Sequence, residues 1–161
     1  MRKINVLICD DQPEIVRETE ELLLRYEEQY GRAMRILGVT DYEEAKDFAA
    51  DLLFLDIEMP GRSGLAIRDE LEKKSAESLI IFVTGHSEAV WEAFGRNVIG
   101  FFEKPMDYER LCLLMKSITN TTAAISRLWK KKPGRWPGNM TAPLLTMKCP
   151  MAECRRDIRS S

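Results

Sequence analysis

The fold is decided by one stretch of the sequence, Leu52-Leu53-Phe54-Leu55-Asp56-Ile57-Glu58-Met59-Pro60-Gly61-Arg62-Ser63-Gly64. Its first four residues are all apolar, which is typical of a short strand buried on both faces of a parallel sheet. A carboxylate follows at Asp56, and the proline and two glycines after it predict a loop. Asp56 is therefore expected at the carboxyl end of a central strand, the edge where open α/β sheets bind their ligands.

Strand and helix patterns alternate five times around this stretch. Short apolar runs predict strands at residues 4–9, 34–39, 52–56, 79–83 and 100–103. Five helices are also predicted, from helical periodicity, a proline and capping residues. In chain order they start at Pro13, cover 42–50, cover 64–74, start at Ser87 and cover 107–119. Because right-handed crossovers cover a parallel sheet on both sides, the alternation predicts a doubly wound α/β fold with a five-stranded parallel sheet.

The distribution of charge divides the chain near Asn120. Residues 1–119 carry 15 Lys and Arg against 24 Asp and Glu, a net charge of −9, whereas residues 120–161 carry nine against two, a net charge of +7. Four of the seven prolines also follow residue 120. We therefore expect an acidic domain at 1–119 and a basic, proline-containing tail at 120–161 that is poorly ordered or atypical.

The composition argues against a membrane or secreted protein. The 161 residues are 45% hydrophobic and 31% charged, as in soluble globular proteins. The first apolar run is too short for a signal peptide, and no stretch approaches the ~18 apolar residues of a membrane span. Since the four cysteines form no disulfide pattern, a reduced, cytoplasmic protein is expected.

The predicted strand ends bring chemically useful side chains to one edge of the sheet. The first strand ends at Asp10-Asp11, the third at Asp56, the fourth at Thr84 and the fifth at Lys104. Three neighbouring carboxylates repel one another, and a divalent cation that prefers oxygen ligands, such as Mg²⁺, removes that repulsion. A lysine and a hydroxyl can contact a phosphoryl group, and an aspartate can accept one covalently. The set indicates magnesium-dependent phosphoryl transfer.

These motifs also carry a resemblance to a known family. They are Asp10-Asp11, the stretch 55–64, Val83-Thr84-Gly85 and Glu103-Lys104-Pro105. From Ile4 to about Ile118 the chain resembles the receiver domain of two-component response regulators. The motif Asp-Ile-Glu-Met-Pro, with Thr-Gly-His further on, most resembles the corresponding motifs in receivers of regulators with a LytTR-type DNA-binding domain. The resemblance implies a flavodoxin-like strand order of 2-1-3-4-5. No LytTR-like output domain is recognisable in residues 120–161.

The resemblance also implies roles for the residues at the matching positions. Asp56 is expected to accept a phosphoryl group from a sensor histidine kinase, with Thr84 and Lys104 contacting that group. Four groups are expected to hold Mg²⁺: Asp10, Asp11, Asp56 and the backbone carbonyl of Glu58. Phe101 matches the family's aromatic switch position. It lies on the surface formed by the fourth predicted helix, the fifth strand and the fifth helix, and a homodimer is also expected through this surface. Such a protein catalyses only its own phosphotransfer and dephosphorylation and is not a conventional enzyme.

Taken singly, each motif has a simpler explanation. Asp10-Asp11 can cap a helix, Lys104-Pro105 can end a strand, and Phe101 can be an ordinary core aromatic. His86, the one histidine of the chain, is expected on an exposed loop, and a role for it in hydrolysis of the phosphorylated form is an alternative. The basic tail, with Trp129 and Trp136 among its lysines and arginines, can be a solvated segment or a nucleic-acid arm.

Two further functions compete with the phosphorylation switch. One is a DNA-binding transcriptional regulator of LytTR type with a truncated output domain, in which DNA is contacted by the tail or by a missing domain. The other is a Mg²⁺-dependent phosphohydrolase with an Asp nucleophile. Such enzymes typically have a second Asp two residues after the nucleophile, and that position is occupied here by Glu58. Cys149 and Cys154 lack the further ligands that a zinc site requires.

Overall fold

The structure, a computed structural model, describes residues 3–74, 76–85 and 92–129, with side chains up to residue 118. The chain divides into two compact units, Met1–Leu111 and Cys112–Ser161. The described elements are β1 (Ile4–Cys9), α1 (Pro13–Tyr30), β2 (Met34–Val39), a 3₁₀ helix (Tyr42–Ala45), β3 (Leu52–Leu55), α2 (Gly64–Lys73), β4 (Leu79–Thr84), β5 (Val98–Glu103) and α3 (Tyr108–Trp129). The division of the sequence at residue 119 stays a prediction.

The five strands form one parallel sheet in the order β2-β1-β3-β4-β5, which confirms the predicted fold class and strand order. All four residues of β3 are buried, because this strand pairs with β1 on one side and β4 on the other. The register sets Leu55 beside both Cys9 and Phe82, so the residues that follow β1, β3 and β4 leave the sheet at the same edge.

Within the first unit, helices α1 and α2 bury side chains beside this sheet. Helix α1 buries Val16, Thr19, Leu23 and Tyr26, the spacing of one helical face, and it ends at Gly31 in the left-handed conformation with a φ of 66°. Its approach to β2 is close, since a Cβ at Gly38 would lie 2.5 Å from Val16 Cγ1. Within the described part of the chain, no helix is both long enough and apolar enough to span a membrane.

The predicted helix over 42–50 is wrong in type and length. Only Tyr42–Ala45 is helical, and it is a 3₁₀ helix whose preceding Asp41 side chain accepts the Glu43 N–H. The two buried side chains of this segment are Tyr42 and Ala45. A 3₁₀ helix stacks residues i and i+3 directly above each other, so the short crossover buries both without a longer helix.

Three other boundaries differ from, or lie beyond, the prediction. Strand β5 begins at Val98, two residues earlier than predicted. Helix α3 continues past residue 119 to Trp129, because the change in charge at that point contains no helix breaker and the next proline is Pro133. The start of the helix predicted from Ser87 lies outside the described residues, as does the chain beyond Trp129.

Candidate functional site

Two buried aspartates stand at the ends of neighbouring strands. Asp10 and Asp56 are 2% and 4% exposed, and the Asp56 N–H donates to the Cys9 carbonyl at 3.0 Å, which ties the two strand ends together. Asp11 is partly buried beside them. Ligand atoms of all three carboxylates lie within 4.8 Å of one another, so the cluster predicted from the strand ends is present.

Lys104 joins two of these carboxylates. Its Nζ lies 2.6 Å from Asp10 Oδ2 and 2.8 Å from Asp56 Oδ2. The backbone N–H of Lys104 donates to the Thr84 carbonyl at 3.0 Å. Burial lowers the pKa of Lys104, but hydrogen bonds and attraction from Asp10 and Asp56 outweigh it, so its pKa is raised. The lysine therefore stays charged and partly neutralises the three acids.

Asp10 is the most constrained member of the cluster. Burial raises its pKa and exceeds the opposing effects of Lys104 and of the Gln12 N–H, which donates to Asp10 Oδ1 at 2.9 Å. Its Oδ2 is buried and is paired with the Lys104 ammonium at 2.6 Å. The convergence of this buried carboxylate with those of Asp11 and Asp56 within 4.8 Å fits a hard cation held by oxygen ligands.

The loop after Asp56 is shaped by its own backbone. The Glu58 N–H donates to Asp56 Oδ1 at 3.2 Å, and the Gly64 N–H donates to the Ile57 carbonyl at 3.0 Å. A Cβ on Gly64 would collide with the carbonyl oxygen of Asp56. Only glycine therefore allows helix α2 to begin directly against the backbone of the central aspartate. The sequence pattern identified Gly64 as a loop residue but not this close approach.

An open cleft of about 580 Å³ lies beside the cluster. Asp11 and Glu58 line it together with apolar residues of the loop, among them Met59 and Pro60. The thioether of Met59 lies 3.7 Å from the buried thiol of Cys9. Burial, and then nearby carboxylates, raise the pKa of this thiol to about 12, so Cys9 is a packing residue and not a nucleophile.

The remaining predicted residues lie on the last two strands. Thr84 is buried at the end of β4. Phe101 is half-buried on β5, with its ring stacked on Phe82 at a centroid distance of 5.9 Å and tilted against Phe94 at 5.3 Å. Its core contacts and its proposed switch role are therefore compatible. His86 lies outside the described residues.

An open parallel sheet of order 2-1-3-4-5 with acids and a lysine at its carboxyl edge defines the class of receiver-like proteins. Residues 6–116 match the family described as response regulator receiver domain, and the chain belongs to that family. The predicted receiver domain of a two-component response regulator is thus confirmed.

Curated relatives agree with this assignment. The positive alginate biosynthesis regulatory protein of Pseudomonas aeruginosa is 34% identical over 119 residues, which cover 70% of this chain and 46% of the relative. The sensory transduction protein LytT of Bacillus subtilis is 30% identical over 70% of this chain and 47% of its own length. The chain thus spans about half the length of these relatives, and the predicted resemblance to LytTR-type receivers is confirmed.

Solved structures support the fold. The response regulatory domain of protein mrkE from Klebsiella pneumoniae has a TM-score of 0.65 at 22% identity, over 75% of this chain and 99% of that one. A signal receiver domain from Pseudomonas fluorescens has the same TM-score at 17% identity, over 76% and 99%. At these identities the likeness concerns the fold alone.

Proposed function

We propose that the protein is a phosphorylation switch in which Asp56 accepts a phosphoryl group from a sensor histidine kinase. The observation that carries the proposal is the convergence of Asp10, Asp11 and Asp56 within 4.8 Å, with Lys104 between two of them. Phosphoryl transfer depends mainly on positioning and on neutralising charge, and these residues supply both.

In the proposed reaction a carboxylate oxygen of Asp56 attacks phosphorus. The phosphorus–nitrogen bond of the kinase phosphohistidine breaks, an acyl phosphate bond forms, and the imidazole nitrogen leaves with its electron pair. Lys104 already contacts Asp56 Oδ2 at 2.8 Å, so its ammonium can follow the added negative charge. The hydroxyl of Thr84, at the end of the adjacent strand, is the proposed hydrogen-bond donor to a phosphoryl oxygen.

The residues that would hold Mg²⁺ are Asp10, Asp11, Asp56 and the backbone carbonyl of Glu58. The ion would supply positive charge that screens the acids from one another and from the incoming phosphoryl group. The closeness of the three carboxylates, two of which are buried, supports this part of the proposal.

The proposed output is a change in the position of Phe101. Its half-buried ring packs between Phe82 and Phe94, so movement of Thr84 toward a phosphoryl group would alter the space that the ring occupies. A homodimer through the surface that includes β5 is the partner arrangement that belongs to this proposal. A cytoplasmic location belongs to it as well, and the buried free thiols of Cys9 and Cys112 are consistent with a reducing compartment.

Incubation with acetyl phosphate and Mg²⁺, followed by intact mass measurement, tests the proposal. We expect wild type to gain about 80 Da, one phosphoryl group, and Asp56→Asn to gain nothing. Asp47→Asn, which changes an exposed aspartate outside the cluster, is the matched control and should be modified like wild type. An unmodified wild type, or equal modification of Asp56→Asn, would refute the proposed acceptor.

A second candidate function is transcriptional regulation. It is favoured by the name of another relative, the transcriptional regulatory protein NatR of Bacillus subtilis, 31% identical over 134 residues, and by the charge of +7 on residues 120–161. DNA contact by that segment should weaken steeply as salt is raised. A gel-shift assay on the 161-residue chain, with Lys130, Lys131 and Lys132 changed to Gln as the comparison, tests it.

A further inference from the structure

Two charged side chains of helix α2 hold the segment that precedes β5. Arg68 Nη1 donates to the carbonyl oxygens of Glu92 at 2.7 Å and Phe94 at 2.9 Å. One turn later, Glu72 Oε1 accepts the Arg96 N–H at 2.7 Å. Hydrogen bonds from charged side chains are stronger than neutral ones, so these contacts form a clamp, here defined as Arg68 and Glu72.

The packing around the clamp leaves little free space. A Cβ at Gly95 would lie 2.6 Å from Glu72 Oε1 and 2.7 Å from Arg68 Cδ. Ala93 is fully buried in the main core, and the Asn97 side chain donates to the Ala76 carbonyl at 2.7 Å. Residues 92–97 are therefore held as one piece against α2 and the turn that follows it.

The same face of α2 also contacts the central aspartate. Gly64, Arg68 and Glu72 are spaced at i, i+4 and i+8, so they lie along one side of the helix. At one end of that side, Gly64 is packed against the Asp56 backbone. Further along, Arg68 fixes the carbonyl of Phe94, whose ring covers Phe101.

We propose that Arg68 is a positioning residue that couples the Asp56 loop to the Phe94–Phe101 ring pair through this face of helix α2. The coupling rests on the proposed function, since it assigns a consequence to a group bound at Asp56. The clamp stabilises the observed placement of Phe94 on Phe101, so a group at Asp56 that shifts the first turn of α2 works against the clamp. This route is separate from the one through Thr84.

The coupling predicts a specific pattern of binding constants. Fluoroberyllate, a stand-in for a phosphoryl group on a carboxylate, would be titrated in the presence of Mg²⁺ into wild type, Arg68→Ala, Phe94→Leu and the double variant. Because sites that share a coupling act on each other reciprocally, we expect each single variant to bind about 5-fold more tightly, and the double variant no more tightly than the singles. Lys74→Ala, which removes an exposed cation near the end of the same helix, should bind like wild type.

Two results would overturn the coupling: an Arg68→Ala affinity equal to that of Lys74→Ala, or single effects that multiply in the double variant. Arg68→Lys keeps the charge but offers one ammonium for two carbonyls, so an intermediate affinity is expected. If Arg68→Ala does not fold, the cycle of Arg68→Lys with Phe94→Leu decides in the same way.

Amide hydrogen exchange separates this proposal from the proposed function. If wild type binds no fluoroberyllate, Asp56 is not a phosphoacceptor of the proposed kind, and exchange without ligand still tests the coupling. Arg68→Ala should then speed exchange both at residues 94–98 and in the first turn of α2, whereas Lys74→Ala should speed neither. Faster exchange at 94–98 alone would identify a local structural bond and refute the coupling.

Discussion

Replacing Lys104 by Met is the substitution that probes the site most directly. The side chains of Lys104, Asp10 and Asp56 are 12%, 3% and 5% exposed, and one ammonium lies between the two carboxylates at 2.6 and 2.8 Å. Methionine keeps most of the apolar stem but leaves two buried carboxylates without their counter-charge. Loss of one partner of a buried ion pair typically costs about 3–5 kcal/mol.

The cost should depend on pH. The pKa of Asp10 is already raised, chiefly by burial, and loss of Lys104 would raise it further. A group whose folded-state pKa lies above its unfolded value stabilises the fold below the unfolded pKa, and that contribution is lost as pH rises through the folded pKa. The variant can therefore neutralise Asp10 by protonation more completely at low pH than at pH 8. We expect a loss of about 3–5 kcal/mol at pH 8 and a smaller loss at pH 5.

Urea denaturation followed by circular dichroism in the presence of EDTA measures this loss. Lys74→Met, which removes an exposed i,i+4 partner of Glu70, is the control and should change the free energy of unfolding by about 0.5 kcal/mol or less. Adding Asp10→Asn to Lys104→Met should recover most of the lost stability. A loss below about 1 kcal/mol at pH 8, or a loss independent of pH, would refute the electrostatic reasoning.

Three further predictions concern neighbouring residues. Gly64→Ala should lower the free energy of unfolding by about 1–3 kcal/mol, because the new Cβ displaces the Asp56 backbone, and it should also slow the modification of Asp56 by acetyl phosphate. Gly85→Ala is the control, since no atom lies near its Cβ position, and it should have a smaller effect in both urea denaturation and intact mass measurement. Asp10→Asn should raise the free energy of unfolding at pH 7 in EDTA, and the gain should shrink as pH falls through the raised folded-state pKa of Asp10 towards the ordinary aspartate pKa of 3.8, below which it should be absent; a gain that persists in acid would contradict the raised pKa. Cys9, in a variant whose other cysteines are serine, should resist iodoacetamide until urea unfolds the protein, and rapid labelling of the native state would contradict its burial.

The strand pattern carried most of the prediction of the fold. Leu52–Leu55 is apolar throughout because it is buried on both faces of the sheet, and the end of this apolar run places Asp56 directly after the strand. Since parallel strands end at a common edge, the positions of Asp10 and Lys104 at other strand ends then predict a cluster. The spacing could not reveal that one ammonium contacts two acids, because this depends on side-chain geometry.

The parts that sequence reasoning missed depend on contacts between distant segments. Tyr42 and Ala45 fit the period of an α-helix and of a 3₁₀ helix equally well, so the pattern could not distinguish them. Nothing in the sequence distinguishes Arg68 from an ordinary solvated arginine, yet its side chain is 12% exposed and bonded to carbonyls more than twenty positions away. The change in net charge near residue 120 does not by itself end a helix, so α3 continues through it.

The charges at the strand ends allow a functional role of the cluster to be distinguished from a purely stabilising one. Three carboxylates and one ammonium leave an excess of negative charge, and the fold holds Asp10 there although burial raises its pKa. Asp10→Asn should therefore stabilise the fold and Lys104→Met should destabilise it, because the first relieves repulsion and the second increases it. Both should nonetheless impair the proposed phosphoryl transfer, in which the acid would hold the cation and the lysine would pair with the added charge. If the cluster served stability alone, the free energy of unfolding and the extent of modification would fall or rise together in each variant. Opposite effects of the two substitutions on stability, combined with a loss of modification in both, would be evidence that the cluster serves the reaction.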